Sequence, residues 1–277
     1  MKFSKERFME KLNELEGEGI SKFWKPSTGK NVARILPYPY DLAKWDGYLF
    51  PELYMHFGLP GGSIVCLEKV YGEECPICQY VDTLADDARN DGEIWKVMKR
   101  IESKVQPMVP VLLKENDGKN KVDATGASIV KIWRMNKTCH KDCYNKAANE
   151  MEEYDEVLFL DVNKGVDVVV VVEEPKGGKK WGDTSITFRS KQSKLAESKE
   201  EIKAIMAKIP NVNELYTKKS KDDLVKVLNK YLQTGEEEVQ TGSSRHLDAP
   251  FDEEDAAVKA DVHTDLDDKL NDILGIS

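Results

Sequence analysis

Residues 56–78 contain three of the five cysteines and one of the four histidines of the chain. These four residues are His56, Cys66, Cys75 and Cys78, and the last two belong to a Cys-Pro-Ile-Cys motif. The tight turn of such a motif brings two sulfur atoms to the spacing of neighbouring ligands around a tetrahedral ion. Three thiolates and one imidazole leave no position for a water ligand, and they favour zinc over magnesium or calcium. The sequence therefore predicts one structural zinc ion, Zn²⁺.

Two other interpretations of the cysteines remain open at this point. In the first, they are scattered buried residues of a protein from a reducing compartment. In the second, Cys139 and Cys143 form a rival half-site with Cys75 and Cys78, which requires the helix predicted over 138–151 to face the motif. The odd number of cysteines fits a reducing compartment better than a disulfide framework.

The acidic charge of the chain is concentrated at its C-terminal end. The net charge is -9, but residues 235–277 carry 13 acidic and three basic residues, a net charge of -10. The remaining 234 residues carry 38 bases and 37 acids, so the body of the protein is free to present a basic surface. No run of eighteen apolar residues occurs, and the first residues lack the apolar region of a signal peptide. We therefore expect no membrane partner.

The pattern of apolar residues predicts three regions. Residues 1–20 form a short amphipathic helical arm, which docks either on its own domain or on a neighbouring molecule. Residues 21–233 form an α+β, mainly β core. Residues 234–277 form a disordered acidic tail, because they have too few apolar residues to bury. Within the core, strands are predicted at 31–37, 94–100, 105–113, 128–134, 157–162, 166–173 and 185–189, and helices at 79–90, 138–151, 194–208 and 220–232.

No motif of an enzyme active site is present. The chain lacks a phosphate-binding G-x-x-x-x-G-K-[ST] loop, an H-E-x-x-H zinc motif and a G-x-S-x-G nucleophile motif. Four protein ligands at the predicted zinc leave no room for an activated water molecule. We therefore expect a binding protein with no enzyme activity, and a zinc hydrolase acting on nucleic acid is the weakest of the alternatives.

Three segments combine tryptophan with basic residues on predicted strands. Aromatic faces stack on unpaired bases while lysine and arginine follow the phosphates, which is how proteins hold single strands without reading their sequence. A tryptophan beside a lysine is more often a core residue, so each segment alone is weak evidence. The candidate DNA-binding residues are Arg34, Trp95, Lys96, Lys99, Arg100, Lys131, Trp133, Arg134, Lys137, Lys180, Trp181 and Arg189.

The sequence resembles the single-stranded DNA-binding (helix-destabilising) proteins of T-even-type bacteriophages. The specific matches are the motif Cys75-Pro-Ile-Cys-Gln-Tyr-Val81, with His56 and Cys66 ahead of it at similar but shorter spacings, and the terminal run over 264–274. Weaker matches lie at 95–100, 209–212 and 220–224. The resemblance covers most of the chain loosely and these motifs closely.

The resemblance implies an oligonucleotide-binding (OB) fold with an inserted zinc subdomain, in which His56, Cys66, Cys75 and Cys78 hold the zinc. It implies sequence-independent, cooperative coating of single-stranded DNA during phage replication, recombination and repair, in the cytoplasm of the infected bacterial host. The arm would bind the next molecule along the DNA, and the tail would recruit replication and recombination proteins. The residues expected to carry these contacts are Lys2, Lys5 and Arg7 in the arm and Leu266, Leu270 and Leu274 in the tail.

The chain also departs from the family pattern. The basic residues of the arm are spread out and interrupted by Glu6, which predicts weaker or differently built cooperativity. Residues 105–108 lack the aromatic residues that the family carries after the Lys-Arg pair, so one stacking position is missing. A zinc-stabilised protein–protein adaptor without nucleic-acid binding is the alternative function.

Overall fold

The computed structural model describes residues 22–40, 48–177 and 182–234. The chain divides into two compact units, and it passes from one unit to the other after Pro51, after Gln106 and after Leu215. The described part of the first unit covers 22–51 and 107–215, with gaps at 41–47 and 178–181, and that of the second covers 52–106 and 216–234. Both units mix helices and strands, and no helix among the described residues is long and apolar enough to span a membrane.

A mostly antiparallel sheet forms the first unit. Its strands lie in the order β1-β6-β5-β2-β7-β8, and only β1 and β6 pair in parallel in this path. Five consecutive valines follow Asp167 in β7, and β-branched side chains of this kind fit the pleated surface of a sheet. The strands are β1 (Phe23–Trp24), β2 (Gly29–Ile35), β5 (Ser103–Lys114, which begins in the second unit), β6 (Val130–Arg134), β7 (Val166–Val172) and β8 (Thr184–Gln192).

The described part of the first unit also contains two α-helices. Helix α4 (Lys137–Tyr154) begins where the side chain of Asn136 accepts a hydrogen bond from the backbone N–H of Cys139, and it ends at Asp155 in the left-handed conformation. Helix α4 contributes Cys139, Cys143 and Ala147 to the core under the sheet. Helix α5 (Lys199–Met206) begins with a capping box formed by Ser198 and Glu201.

The described part of the second unit contains a short strand pair and four helices. Strands β3 (Glu52–His56) and β4 (Ile64–Val65) pair antiparallel. The helices are α1 (Leu67–Tyr71), α2 (Pro76–Leu84), α3 (Gly92–Ile101) and α6 (Lys221–Thr234). Their apolar faces form one buried cluster that includes Tyr80 from α2, Ile101 from α3 and Leu224 and Leu228 from α6. Helix α6 therefore completes the core around the cysteine-rich stretch.

The prediction of an extended segment at 94–100 is wrong, because these residues form helix α3. Asp91, the residue before the helix, caps its start: its side chain accepts hydrogen bonds from the backbone N–H groups of Glu93 and Ile94. The apolar residues of α3 lie at Ile94, Val97, Met98 and Ile101, the spacing of one helical face, and this face packs on the core of the second unit. The basic residues between these apolar residues obscured the helical spacing in the sequence.

The prediction of a strand at 157–162 is also wrong. Residues 158–160 form a single 3-10 turn, in which the backbone N–H of Asp161 bonds to the carbonyl of Leu158. The antiparallel partners of β7 are β2 and β8. The predicted strands at 31–37, 105–113, 128–134, 166–173 and 185–189 and the helices at 138–151, 194–208 and 220–232 all have counterparts in the structure, with shifted ends. The helix predicted at 79–90 starts earlier, at Pro76, and ends at Leu84.

Candidate metal centre and nucleic-acid interface

Local backbone structure in the second unit positions all four predicted metal ligands. His56 is the last residue of β3, and Cys66 directly follows β4, where its N–H bonds to the carbonyl of Tyr54 at 2.9 Å. Cys75 is the residue before α2, Pro76 is the first residue of the helix, and Cys78 lies in its first turn. Because proline suits a first helical position, the Cys-Pro-Ile-Cys motif is also a helix start. The helix start therefore turns both sulfur atoms to one side.

The ligand atoms of these residues converge on one point. All four lie within 4.8 Å of one another. The Sγ atoms of Cys66 and Cys78 are 3.4 Å apart, and His56 Nε2 lies 3.4 Å from Cys75 Sγ and 3.7 Å from Cys78 Sγ. Bond lengths of about 2.3 Å to sulfur and 2.0 Å to nitrogen give ligand–ligand distances of about 3.5–3.8 Å in a tetrahedral zinc site. These three separations are therefore close to those of a tetrahedral coordination shell, and the remaining pairs stay within 4.8 Å.

The other ring nitrogen of His56 fixes the orientation of its imidazole. Nδ1 donates a hydrogen bond to the backbone carbonyl of Ile101 at 2.8 Å, which leaves the lone pair of Nε2 facing the three sulfur atoms. Metal-binding histidines are commonly held in this way by a carbonyl or carboxylate behind the ring. Sequence analysis missed the role of Ile101, because a backbone carbonyl carries no residue signature.

The thiols interact strongly with one another in this enclosed space. Hydrogen bonds from Cys66 and Cys78 lower the pKa of Cys75, while the shared hydrogen bonds and burial raise the pKa of Cys78. Burial lowers the pKa of His56, but hydrogen bonds with Cys66 and Cys75 outweigh it and raise this pKa to about 9. A bound cation would take the place of the thiol protons, so metal binding is expected to release protons.

Burial limits what this site can do chemically. His56, Cys66, Cys75 and Cys78 are all buried, and their neighbours Leu59, Ile64 and Leu67 are apolar. A metal ion with four protein ligands and no access to solvent has no open position for substrate or water. The cluster can therefore hold a metal ion, in a manner suited to stabilising the second unit. This confirms the four residues as the candidate metal site.

Cys139 and Cys143 lie elsewhere, in the core of the first unit. Cys139 donates to the carbonyl of Thr184, and Cys143 contacts the sulfur atom of Met135 at 3.9 Å. Burial raises the pKa of Cys139 to about 12, which keeps its thiol protonated. Among the described residues, the cluster of possible metal ligands includes Cys75 and Cys78. It includes neither Cys139 nor Cys143. The structure gives the rival half-site no support.

Helix α3 presents the first of the predicted DNA-binding segments at the surface of the second unit. The side chain of Trp95 is 49% exposed, although tryptophan is a residue that is usually well buried. Lys96 pairs with Glu93 at 3.0 Å and Lys99 pairs with Glu102 at 3.0 Å. The stem of Arg100 packs against Gly58, where a Cβ atom would meet its Cγ at 2.6 Å. Trp95 and three basic side chains thus share one short helix.

Three predicted DNA-binding residues are buried, which corrects the expectation that they face solvent. Trp133 is only 3% exposed because it alternates inward on β6 and packs in the core. Arg34 is 1% exposed, and its guanidinium donates to Asp167 at 3.3 Å and to the carbonyl of Ser193 at 2.7 Å. Arg134, the last residue of β6, is also buried. Trp133 therefore offers no stacking face in this structure.

The remaining predicted residues have mixed positions. Lys131 is half-buried on β6, Lys137 is exposed at the start of α4, and the guanidinium of Arg189 donates to the carbonyl of Asn116 at 3.3 Å. The residues outside the described part of the chain are 1–21, 41–47, 178–181 and 235–277, which hold the predicted arm and all of the predicted tail but its first residue. The predictions that fall there concern Lys2, Lys5, Arg7, Lys180, Trp181, Leu266, Leu270 and Leu274.

Comparison with known proteins found no matching family model and no match among curated proteins.

Proposed function

We propose that the protein binds and protects single-stranded DNA without sequence preference during phage DNA replication, recombination and repair. The observation that carries the proposal is the half-exposed ring of Trp95 on the basic helix α3. An exposed indole beside lysine and arginine is suited to stack on an unpaired base while the cations meet the neighbouring phosphates. The family resemblance supports the same function, and no catalytic step is part of it.

The proposed metal is zinc, and the proposed fold of the first unit is an OB fold. The three thiolates and one imidazole favour zinc among the common divalent ions, and their spacing fits its bond lengths. A mostly antiparallel sheet with a helix packed on it is compatible with an OB fold. Zinc would hold β3, β4, α1 and α2 together, and the Ile101 carbonyl connects α3 to the same site through His56. The metal would thus stabilise the helix that carries Trp95.

Helix α3 combines stacking and charge on neighbouring positions. Trp95 and Lys99 are four residues apart and lie on one face, and Lys96 and Arg100 lie on the adjoining face. Lys96 and Lys99 each have a carboxylate partner at the surface, where ion pairs contribute little and exchange readily for a phosphate. We propose that one base stacks on Trp95 and that these cations bind the flanking phosphates.

The arm and the tail complete the proposal. The arm, with Lys2, Lys5 and Arg7, would bind the next molecule on the DNA and make binding cooperative. The tail, with a net charge of -10, would compete with DNA for the basic surface and recruit replication and recombination proteins through Leu266, Leu270 and Leu274. Both segments lie outside the described residues, and their proposed roles rest on sequence and resemblance.

A protein–protein adaptor is the second candidate function. It accounts for the burial of Trp133 and Arg34, which were expected to face DNA. It gives no role to the basic character of helix α3 around Trp95. The fluorescence of Trp95 distinguishes the two functions. It should change on addition of DNA if the protein binds single strands, and stay constant if the protein is an adaptor.

Titration with poly(dT) while tryptophan fluorescence is recorded tests the proposed function. We expect strong quenching in the wild-type protein, and we expect Trp95→Leu to lose part of this quenching. Since one stacked base contributes about 1–3 kcal/mol, Trp95→Leu should weaken binding by about 5- to 150-fold. Tyr154→Leu is the matched control, because Tyr154 is an exposed aromatic residue of a helix in the first unit with no predicted role. Absence of quenching in the wild type, or equal affinities for Trp95→Leu and Tyr154→Leu, would contradict the proposal.

A further inference from the structure

A small polar cavity opens on the first unit, and none of the residues that line it was assigned to DNA from the sequence. Its volume is about 110 Å³. Since liquid water occupies about 30 Å³ per molecule, the cavity has room for about three or four waters or one small planar group. Its lining residues are Trp24, Ser27, Lys30, Asn31, Val32, Leu113, Lys114, Glu115, Asn116 and Lys121.

Hydrogen bonds fix the first wall of this cavity, the turn at 27–31. The side-chain oxygen of Asn31 accepts from the backbone N–H of Ser27 at 3.1 Å and from its hydroxyl at 3.0 Å. The amide nitrogen of Asn31 donates to the carbonyl of Ser27 at 2.6 Å. Gly29 adopts a φ of 93° at the centre of the turn, a conformation that suits glycine. The turn that carries Lys30 is therefore held in place before any ligand binds.

The opposite wall is the hairpin loop after β5, and hydrogen bonds fix its conformation as well. The backbone N–H of Glu115 bonds to the carbonyl of Lys119 at 2.8 Å, and that of Lys121 bonds to the carbonyl of Leu113 at 2.9 Å. Lys114 donates to the carbonyl of Gly118 at 3.1 Å, and Arg189 donates to that of Asn116. Arg189 was predicted to contact DNA directly, but in the structure it supports this loop.

The cavity carries two cationic side chains that are available to a ligand. Lys114 is buried and pairs with Asp167 at 3.5 Å, so its charge is already balanced by a carboxylate of the protein. Lys30 and Lys121 are exposed, and neither forms an ion pair with another described residue. Glu115 is the one acidic residue of the lining. Two available ammonium groups at the rim of a polar cavity favour an anionic ligand.

Trp24 gives the cavity an aromatic wall. It is partly exposed, and its ring meets that of Trp133 edge-on, with the centroids 5.4 Å apart and the planes at 69°. The buried Trp133 thereby holds the indole of Trp24 in one orientation. A flat aromatic surface beside two cations is the combination that binds a nucleotide of a single strand.

We infer that this cavity is a nucleotide subsite, in which a base of single-stranded DNA contacts Trp24 while its phosphate lies between Lys30 and Lys121. The inference rests on the proposed function and adds a contact site in the first unit. It also assigns Trp133 an indirect role, because its buried ring orients Trp24.

Affinity for oligo(dT) measured at several salt concentrations tests the two lysines. Each lost phosphate contact on a single strand reduces the slope of log K against log salt by about 0.7. We therefore expect Lys30→Ala and Lys121→Ala each to lower the slope by about that amount. Lys119→Ala is the control, because Lys119 lies in the same loop, is exposed and pairs with Asp117 at 3.1 Å. It should keep the wild-type slope.

Trp24→Phe tests the base contact, since phenylalanine retains an aromatic contact with Trp133 while the Trp24 fluorescence is removed. We expect this variant to lose part of the quenching by poly(dT). Wild-type slopes for Lys30→Ala and Lys121→Ala, with the wild-type protein still binding, would overturn the subsite and leave the proposed function standing. Unchanged quenching in Trp24→Phe would overturn the placement of the base. A wild-type protein that does not bind oligo(dT) would overturn both proposals.

Discussion

Replacing Cys78 by serine is expected to abolish stoichiometric zinc binding and to destabilise the second unit. Serine is nearly isosteric with cysteine but lacks the soft thiolate that zinc requires. Because the unfolded chain has no preformed site, the binding free energy of the metal acts as folding free energy, which is about 10–16 kcal/mol for zinc-finger peptides. The melting temperature should fall by more than about 10 °C, since about 1 kcal/mol corresponds to 4–8 °C in a unit of this size. Metal analysis and thermal unfolding measure the two effects.

Cys139→Ser provides the matched control for this prediction. Cys139 is also buried and is also a free thiol, but it lies in the first unit, where it donates to the carbonyl of Thr184. A serine hydroxyl can donate the same hydrogen bond, so zinc content should remain at one ion per chain. One zinc ion in Cys78→Ser with a wild-type melting temperature would refute the structural site. Loss of zinc in Cys139→Ser would favour the rival half-site instead.

Replacing Asp167 by alanine is expected to be the most destabilising single change in the first unit. Its carboxylate pairs with Arg34 at 3.3 Å and with Lys114 at 3.5 Å, and all three side chains are buried. Burial lowers the pKa of both Arg34 and Lys114, and the charge of Asp167 opposes this shift. Removing it leaves two cations buried without a counter-charge, which costs about 3–5 kcal/mol. Chemical denaturation of the full chain measures this loss.

Two further variants show whether charge or shape causes the effect. Asp167→Asn keeps the shape and an acceptor oxygen but removes the charge, so it should also destabilise the unit, by less than alanine. Asp117→Ala removes an exposed carboxylate whose partner is Lys119, and its stability should stay near that of the wild type. Wild-type stability in Asp167→Ala would show that Arg34 and Lys114 are adequately solvated or paired without it.

The metal site could be predicted from sequence because its determinants are local. Cys75 and Cys78 are fixed by one helix start, and His56 and Cys66 lie at the ends of two short strands that pair with each other. Only the support behind His56 required the structure, since it comes from the backbone of Ile101, 45 residues away. Most strands and helices of the first unit were likewise predictable, because their apolar runs are long.

The surface was harder to predict because burial is decided by the tertiary structure. Arg34 was expected at the surface because it is charged, yet Asp167 on the neighbouring strand gives it a buried partner. Trp133 lies beside Lys131 and Arg134 in sequence, but the parallel pairing of β1 with β6 sets it against Trp24. The sequence of helix α3 does contain apolar residues at helical spacing, but the basic residues between them suggested a strand. Such pairings between distant segments leave no local signature.

Binding of oligo(dT) and of the matching duplex, measured across a range of salt concentrations, tests the central proposal most directly. The proposal predicts tight binding of the single strand with affinity that falls steeply as salt increases, because phosphate contacts release counterions. It also predicts much weaker binding of the duplex, whose stacked bases cannot reach Trp95. Equal affinities for the two DNA forms, or no salt-dependent binding of either, would contradict single-strand binding and favour the adaptor.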